Sequence, residues 1–334
     1  MSEAQHRSSA TTAPDLIAPL AAFGGEPPPA PEWFSQALAQ TPENGRVSVR
    51  GAGIEWLAWG ERGKPGLLLL HGASAHAHWW SHIAPFFSGQ YRVAALSWSG
   101  AGGSDWRESY SIDHFAAEIL AVAAETGLFE HADRPVVVGH SFGGVILAPA
   151  MKLHAGVFGG AVIVDSFLTQ DNTWHLPAIT PRRGKMRVYP DLSSALARFR
   201  FTPPQPCPHP FIADHFARHA LRPEPLEGRD EPGWTWRFDP QLPGAMSRVP
   251  LHPALAEPGC PLAFIAGECS QVTSQRVKDY VLRTTSCGTP WIDIPQGHHH
   301  LMMDQPIALV AALRALFASW PRPRTDHQYT KQST

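Results

Sequence analysis

Residues 139–143 read Gly-His-Ser-Phe-Gly, directly after the apolar run Pro135-Val136-Val137-Val138 and just before the helical stretch Val145–Leu153. A serine flanked by glycines at this spacing, between a buried strand and a helix, suits a strained turn that lifts its hydroxyl out at the end of a sheet. Gly139 and Gly143 have no Cβ to collide with the neighbouring strand and helix. The turn also sets Ser141 at a helix N-terminus, where free N–H groups and the helix dipole favour developing negative charge. Nucleophilic attack is the chemistry such a serine can perform. A glycine-rich turn holding a serine by accident would not need the strand before it and the helix after it.

A serine hydroxyl is a weak nucleophile near neutral pH and needs a base beside it. The run His298-His299-His300 follows the last strand-like stretch and offers three candidates, among which spacing alone does not choose. Adjacent side chains rarely converge on one ion, and no carboxylate or cysteine partner stands at ligand spacing, so neither a metal nor another cofactor is expected. Leu70-His71-Gly72-Ala73 follows the first parallel strand. A glycine there lets the backbone approach the serine turn, so that the Ala73 and Phe142 N–H groups would form an oxyanion hole.

These pieces need a scaffold. From about residue 46 to 166, strand-like runs alternate with helical patterns: Arg46–Arg50 and Ile54–Trp59 as a hairpin, Leu67–Leu70, an aromatic helix His76–Phe87, Arg92–Leu96, and a helix capped by Ser111 that runs to Thr126. Val136–Val138, the serine helix and Ala161–Val164 follow. The alternation resumes with Leu262–Ala266, a helix near Ser274–Thr284, Trp291–Ile294 and a final helix Pro306–Trp320. It implies an α/β fold with a mostly parallel central sheet and helices on both faces. Residues 167–257 are dense in proline, arginine and tryptophan, with helical pieces at Leu192–Phe199 and Pro210–Ala220 and no convincing strand. They read as an inserted helical cap between core segments 46–166 and 258–320. Residues 1–45 are expected to be a partly disordered extension, and 321–334 a disordered tail.

The cap carries Trp174, Trp234, Trp236 and Phe238, while Trp79 and Trp80 follow the Gly72 loop. With His140 beside the serine, Trp79, Trp80, Trp234 and Trp236 are candidates to line an apolar substrate pocket, although each tryptophan could equally pack the cap onto the sheet. A hydrophobic fraction of 43% over 334 residues supplies a sizeable core. A net charge of −2, with scattered lysines and arginines, argues against a nucleic-acid or anionic-membrane surface. No run reaches the ~18 apolar residues of a membrane span, and the start lacks the pattern of a signal peptide. Cys207, Cys260, Cys269 and Cys287 show no metal-type pairing, which suits reduced thiols. A cytoplasmic monomer or homodimer acting on a small molecule is the expectation.

With these pieces in place the chain resembles the α/β-hydrolase fold superfamily, in its serine esterase-like branch with an inserted cap. The resemblance rests on His71-Gly72, the loop Gly100–Asp105 ending in Gly103-Ser104-Asp105, the serine turn, Asp165, Gly267-Glu268, and the histidine loop ending in Asp304-Gln305-Pro306. In that superfamily the catalytic histidine stands five positions before the acidic residue of an acid–x–Pro ending, which here implies His299. An acid usually follows the strand equivalent to Leu262–Ala266, but Ser270 and Gln271 occupy those positions. Two substitutes remain: Asp165 at the end of the strand after the serine helix, which is preferred, and Glu268 directly after Gly267. An aspartate at position 270 is expected to be tolerated. The resemblance implies a cofactor-free serine hydrolase of carboxylic esters, with carbon–carbon, lactone or amide hydrolysis, or a non-catalytic receptor, as alternatives. A serine at 141 sets the chain apart from the dehalogenases and epoxide hydrolases of this fold, which attack with an aspartate.

Overall fold

A computed structural model describes residues 18–169, 186–242 and 251–320. Strands β1 (Glu43–Val49) and β2 (Ala52–Trp59) form a hairpin with Val49 opposite Ala52. Its two turn residues, Arg50 and Gly51, have φ of 47° and 82°, the left-handed pair that matches the twist of a tight hairpin. After β3 (Gly66–Leu70) and β4 (Arg92–Leu96) come helix α3 (Ile112–Glu125), β5 (Val136–His140), α4 (Phe142–Leu153) and β6 (Gly160–Val164). Beyond the cap lie α7 (His252–Ala256), β9 (Leu262–Gly267), α8 (Gln275–Thr284), β10 (Trp291–Ile294), α9 (Leu301–Asp304) and α10 (Pro306–Ser319). One eight-stranded sheet results, in the order β1-β2-β4-β3-β5-β6-β9-β10, antiparallel only where β2 meets β1 and β4.

The central parallel strands β3, β5, β6 and β9 are almost wholly buried on both faces because helices cover both. Successive side chains alternate between two cores. Leu67, Leu69, Val138, Val162 and Val164 face one side; Leu68, Leu70, Val137, Ala161 and Ile163 face the other. From β3 the chain winds toward β4, and from β5 it winds away toward β6. The crevice between the C-terminal ends of β3 and β5 is therefore a switch point, where open α/β sheets bind their ligands.

Two expectations need correction. The aromatic stretch His76–Phe87 is not one helix but a 3₁₀ turn, Ala77–Trp80, followed by the short helix α2 (Pro85–Ser88). Pro85 has no N–H to donate to a preceding turn and so starts a helix rather than continuing one. Within the N-terminal extension, α1 (Glu32–Ala39) buries Phe34, whose ring lies 4.9 Å from that of Phe211. The cap region is not wholly helical. Besides α5 (Leu192–Leu196) and α6 (Pro210–His219) it contains an antiparallel pair, β7 (Leu221–Glu224) and β8 (Gly233–Trp236). Strands this short, one carrying Pro223, give too little alternation to stand out from the surrounding polar sequence. Trp174 and the 321–334 tail lie outside the described residues, among which no helix is long and apolar enough to cross a membrane.

Candidate active site

Ser141 sits between β5 and α4 with φ 52° and ψ −115°, a conformation costing on the order of 1–3 kcal/mol that the surroundings must enforce. Its N–H donates to the Val164 carbonyl at 2.9 Å, and its own carbonyl accepts from Gly144 N, Val145 N and Ser166 Oγ at 3.0, 3.1 and 2.9 Å. The glycines act as the sequence suggested. A Cβ on Gly139 would lie 2.6 Å from the Gly143 carbonyl oxygen, and one on Gly143 would lie 2.8 Å from the carbonyl oxygens of both Leu70 and His71.

The structure brings Ser141, His299 and Asp165 together, each from the C-terminal side of the sheet. His299 Nε2 is 2.9 Å from Ser141 Oγ, and Nδ1 is 2.8 Å from Asp165 Oδ1. An ionised carboxylate only accepts, so Nδ1 carries the proton and the Nε2 lone pair accepts from the serine hydroxyl. Asp165 is itself in the left-handed region, at φ 44°. Its carboxylate accepts two further bonds, from Gly267 N at 2.7 Å and Ser270 Oγ at 2.6 Å. The serine standing where an acid was expected is thus a donor to the acid that is present. Glu268 is exposed and accepts from Gln296 N at 3.0 Å, bracing the loop rather than the histidine.

The neighbours of His299 are occupied elsewhere. The backbone and ring of His298 both donate to Asp304 Oδ2, at 2.7 and 2.9 Å, and burial pushes the Asp304 carboxyl above its usual range. The backbone N–H and Nδ1 of His300 both lie on Gln205 Oε1, at 2.8 and 2.6 Å. Gln205 is a fully buried cap residue that sequence reasoning missed, since a lone glutamine in a proline-rich stretch carries no signal.

His140 is not on a substrate face. It is 1% exposed, and its Nε2 donates to the His299 carbonyl at 2.9 Å, holding the backbone of the histidine loop. Burial drives its pKa well below the ordinary value, which keeps the ring neutral. Gly72 brings the loop after β3 against the serine turn, because a Cβ there would lie 3.2 Å from Ser141 Cβ. His71 fixes that loop: Nδ1 donates to the Gly72 carbonyl at 2.7 Å and Nε2 accepts from Trp98 N at 3.0 Å. Ala73 follows it, half-buried, and Phe142 opens α4 on the other side of Ser141.

Of the candidate pocket aromatics, Trp79 is the one beside the site. Its ring stacks on Phe216 of the cap at 4.2 Å and lies 5.4 Å from the His300 ring. Trp80 is completely buried in the core and presents no face to a ligand. Trp234 and Trp236 are partly buried in β8; Trp236 connects to the site through Phe199, Phe201 and then His300, at ring separations of 6.4, 5.1 and 5.0 Å.

The profile of the Alpha/beta hydrolase family matches residues 67–313. Over 104 residues the chain is 38% identical to mouse epoxide hydrolase 4, a match covering 30% of this chain and 28% of that protein. It is 32% identical over 104 residues to the pimeloyl-[acyl-carrier protein] methyl ester esterase of Edwardsiella ictaluri, covering 31% of this chain and 37% of that one. The chain therefore matches well under half the length of these relatives. Among solved structures it is similar in fold to a thioesterase domain from the curacin biosynthetic pathway, with a TM-score of 0.67, 21% identity, and coverage of 82% of this chain and 99% of that one. An E-2-(acetamidomethylene)succinate hydrolase gives a TM-score of 0.69 at 18% identity, covering 83% and 100%.

Proposed function

The chain belongs to the alpha/beta hydrolase family, and from that premise we propose that it hydrolyses carboxylic esters of apolar or aromatic small molecules through an acyl-enzyme. The observation that carries the reading is the unbroken hydrogen-bond chain from Asp165 through His299 to Ser141, with links of 2.8 and 2.9 Å. Ser141 Oγ attacks the acyl carbon while its proton passes to His299 Nε2, and Asp165 stabilises the imidazolium. The carbonyl oxygen becomes an oxyanion received by the Ala73 and Phe142 N–H groups. His299 returns the proton to the leaving alcohol as the C–O bond breaks. Water then attacks the acyl-serine with His299 again as base, releasing the acid and restoring the serine.

Serine also argues against the chemistry named for the epoxide hydrolase relatives. Attack of a hydroxyl on an epoxide carbon would leave an ether, with no carbonyl for water to enter, and the enzyme would be spent after one turnover. An acyl-serine ester keeps that carbonyl. Beside the histidine loop Trp79, Phe201 and Phe216 form a buried apolar cluster, surroundings that suit an apolar acyl or alcohol group. A panel of p-nitrophenyl esters of graded chain length, beside an epoxide and a vinylogous diketone, tests the proposal. Ester turnover that disappears in Ser141→Ala supports it; turnover of the diketone or the epoxide alone would move the reading to that bond instead.

A further inference from the structure

Eighteen histidines are many for this length, and three of them meet away from Ser141. His78 lies in the 3₁₀ turn Ala77–Trp80 that follows the Gly72 loop, while His215 and His219 stand one turn apart on α6 of the cap. The i, i+4 spacing puts those two on one helix face. One ligand nitrogen from each of the three lies within 4.8 Å of the others. The His78 and His219 rings are 4.0 Å apart, and those of His215 and His219 are 4.3 Å apart.

At His215 and His219 the hydrogen bonds leave a lone pair rather than a proton on the second ring nitrogen, and His78 has its Nδ1 3.4 Å from Ser81 Oγ. His219 Nδ1 donates to the His215 carbonyl at 2.8 Å, so its Nε2 is the unprotonated nitrogen. The His215 ring is bonded to the backbone of His78, yet its Nε2 is buried with no hydrogen-bond partner. An imidazole that gives one N–H to a carbonyl and holds the other nitrogen free is how metal-ligating histidines are oriented. His76 packs beside His78 but donates Nε2 to the Phe216 carbonyl at 3.0 Å. Asp214 is engaged with Arg218 at 2.7 Å, and Arg237, the cation felt by His78 and His219, donates to the Leu221 carbonyl at 2.9 Å.

We propose that His78, His215 and His219 form a site for a divalent transition-metal ion of the zinc, nickel or copper kind, which staples cap helix α6 to the turn following β3. Three neutral nitrogens with no carboxylate select such ions over magnesium or calcium, which require oxygen. Nitrogens about 2.0–2.1 Å from a tetrahedral ion stand roughly 3.3 Å apart, so the rings close by about 1–1.5 Å on binding. The fourth position is left to water. The ion would tighten the cap against the core beside the Trp79–Phe216 stack. The site is independent of the reaction assigned to Ser141.

The test is Zn²⁺ binding by the full chain at pH 7.5, measured by competition with a chromophoric chelator, together with thermal melts with and without the ion. One ion per chain is expected, with a raised Tm, and Mg²⁺ should produce neither effect. His215→Ala and His219→Ala should each weaken Zn²⁺ binding by about tenfold or more and remove the Tm increase, while His209→Ala at the start of α6 changes neither. If His215→Ala already melts lower without metal because the ring is buried, the more accessible His219→Ala decides. Wild-type affinity in His219→Ala, or no stoichiometric binding by the wild type, would overturn the proposal.

Discussion

The Asp165 carboxylate accepts three hydrogen bonds at once, from His299 Nδ1, Gly267 N and Ser270 Oγ. An amide at this position would set an NH₂ group against donors. Asp165→Asn should therefore lower kcat by roughly 10²–10⁴-fold through loss of the correct histidine tautomer and of the charge opposite the imidazolium. Glu268→Gln should change kcat little, since Glu268 holds only Gln296 N; the reverse ranking in steady-state kinetics would contradict the assignment. At Ser270 the geometry turns a sequence-based expectation around. An aspartate there would put a second carboxylate against one whose oxygen is 2.6 Å from the present hydroxyl, so one of the two would take up a proton. Ser270→Asp is expected to be more damaging to kcat than Ser270→Ala. Ser141 stood out in the sequence because a glycine-flanked turn between strand and helix leaves a mark. His299 and Asp165 were singled out only through the resemblance to the α/β-hydrolase superfamily, spacing alone leaving three histidines open. The partnership of Ser270 with Asp165 spans 105 residues of chain and leaves no mark.

At the scale of elements, the site depends on how closely three backbone segments approach: the end of β3, the turn after β5 and the loop after β10. Gly143→Ala should cost about 1–3 kcal/mol of stability and most of the activity, because the new methyl group would meet two backbone carbonyls that cannot swing aside. Chemical denaturation beside ester turnover measures both; an alanine variant with unchanged activity would mean the turn is looser than its geometry shows. The central strands were legible because their runs are continuously apolar, as strands buried on both faces must be. β7 and β8 were not, being four residues each. The stretch 76–87 misled for another reason: its aromatic residues pack in several directions, with Trp80 into the core and Trp79 toward the cap, which a single helical stripe cannot represent.

Across the whole molecule, buried histidines tie stability to pH. Burial depresses both His71 and His82 to about 4, against roughly 6.5 in an unfolded chain. The folded protein therefore binds fewer protons than the unfolded chain between those values. Their contribution is fully present above pH 6.5 and is lost as the pH falls toward 4. At pH 5 unfolding should take up about two protons from this pair, which corresponds to about 2.5 kcal/mol per pH unit. Thermal melts from pH 7.5 to 4.5 should show Tm falling steeply below pH 6.5, and a flat profile would contradict the neutral, buried state of these rings. Composition showed that a large core exists, but it could not show that cap residues such as Phe199, Phe201 and Phe216 join the same core as the sheet. That union forms only when the insertion folds back over β3 and β5.

The central claim is that Ser141 is a nucleophile activated by His299. Its most direct test is intact-mass and peptide-mass analysis after brief exposure of the folded protein to a fluorophosphonate. One phosphonyl group per chain, attached at Ser141 and absent from the Ser141→Ala and His299→Ala variants, is the predicted result. No adduct on the folded wild type, or an adduct on Ser141 that forms equally fast without His299, would contradict it.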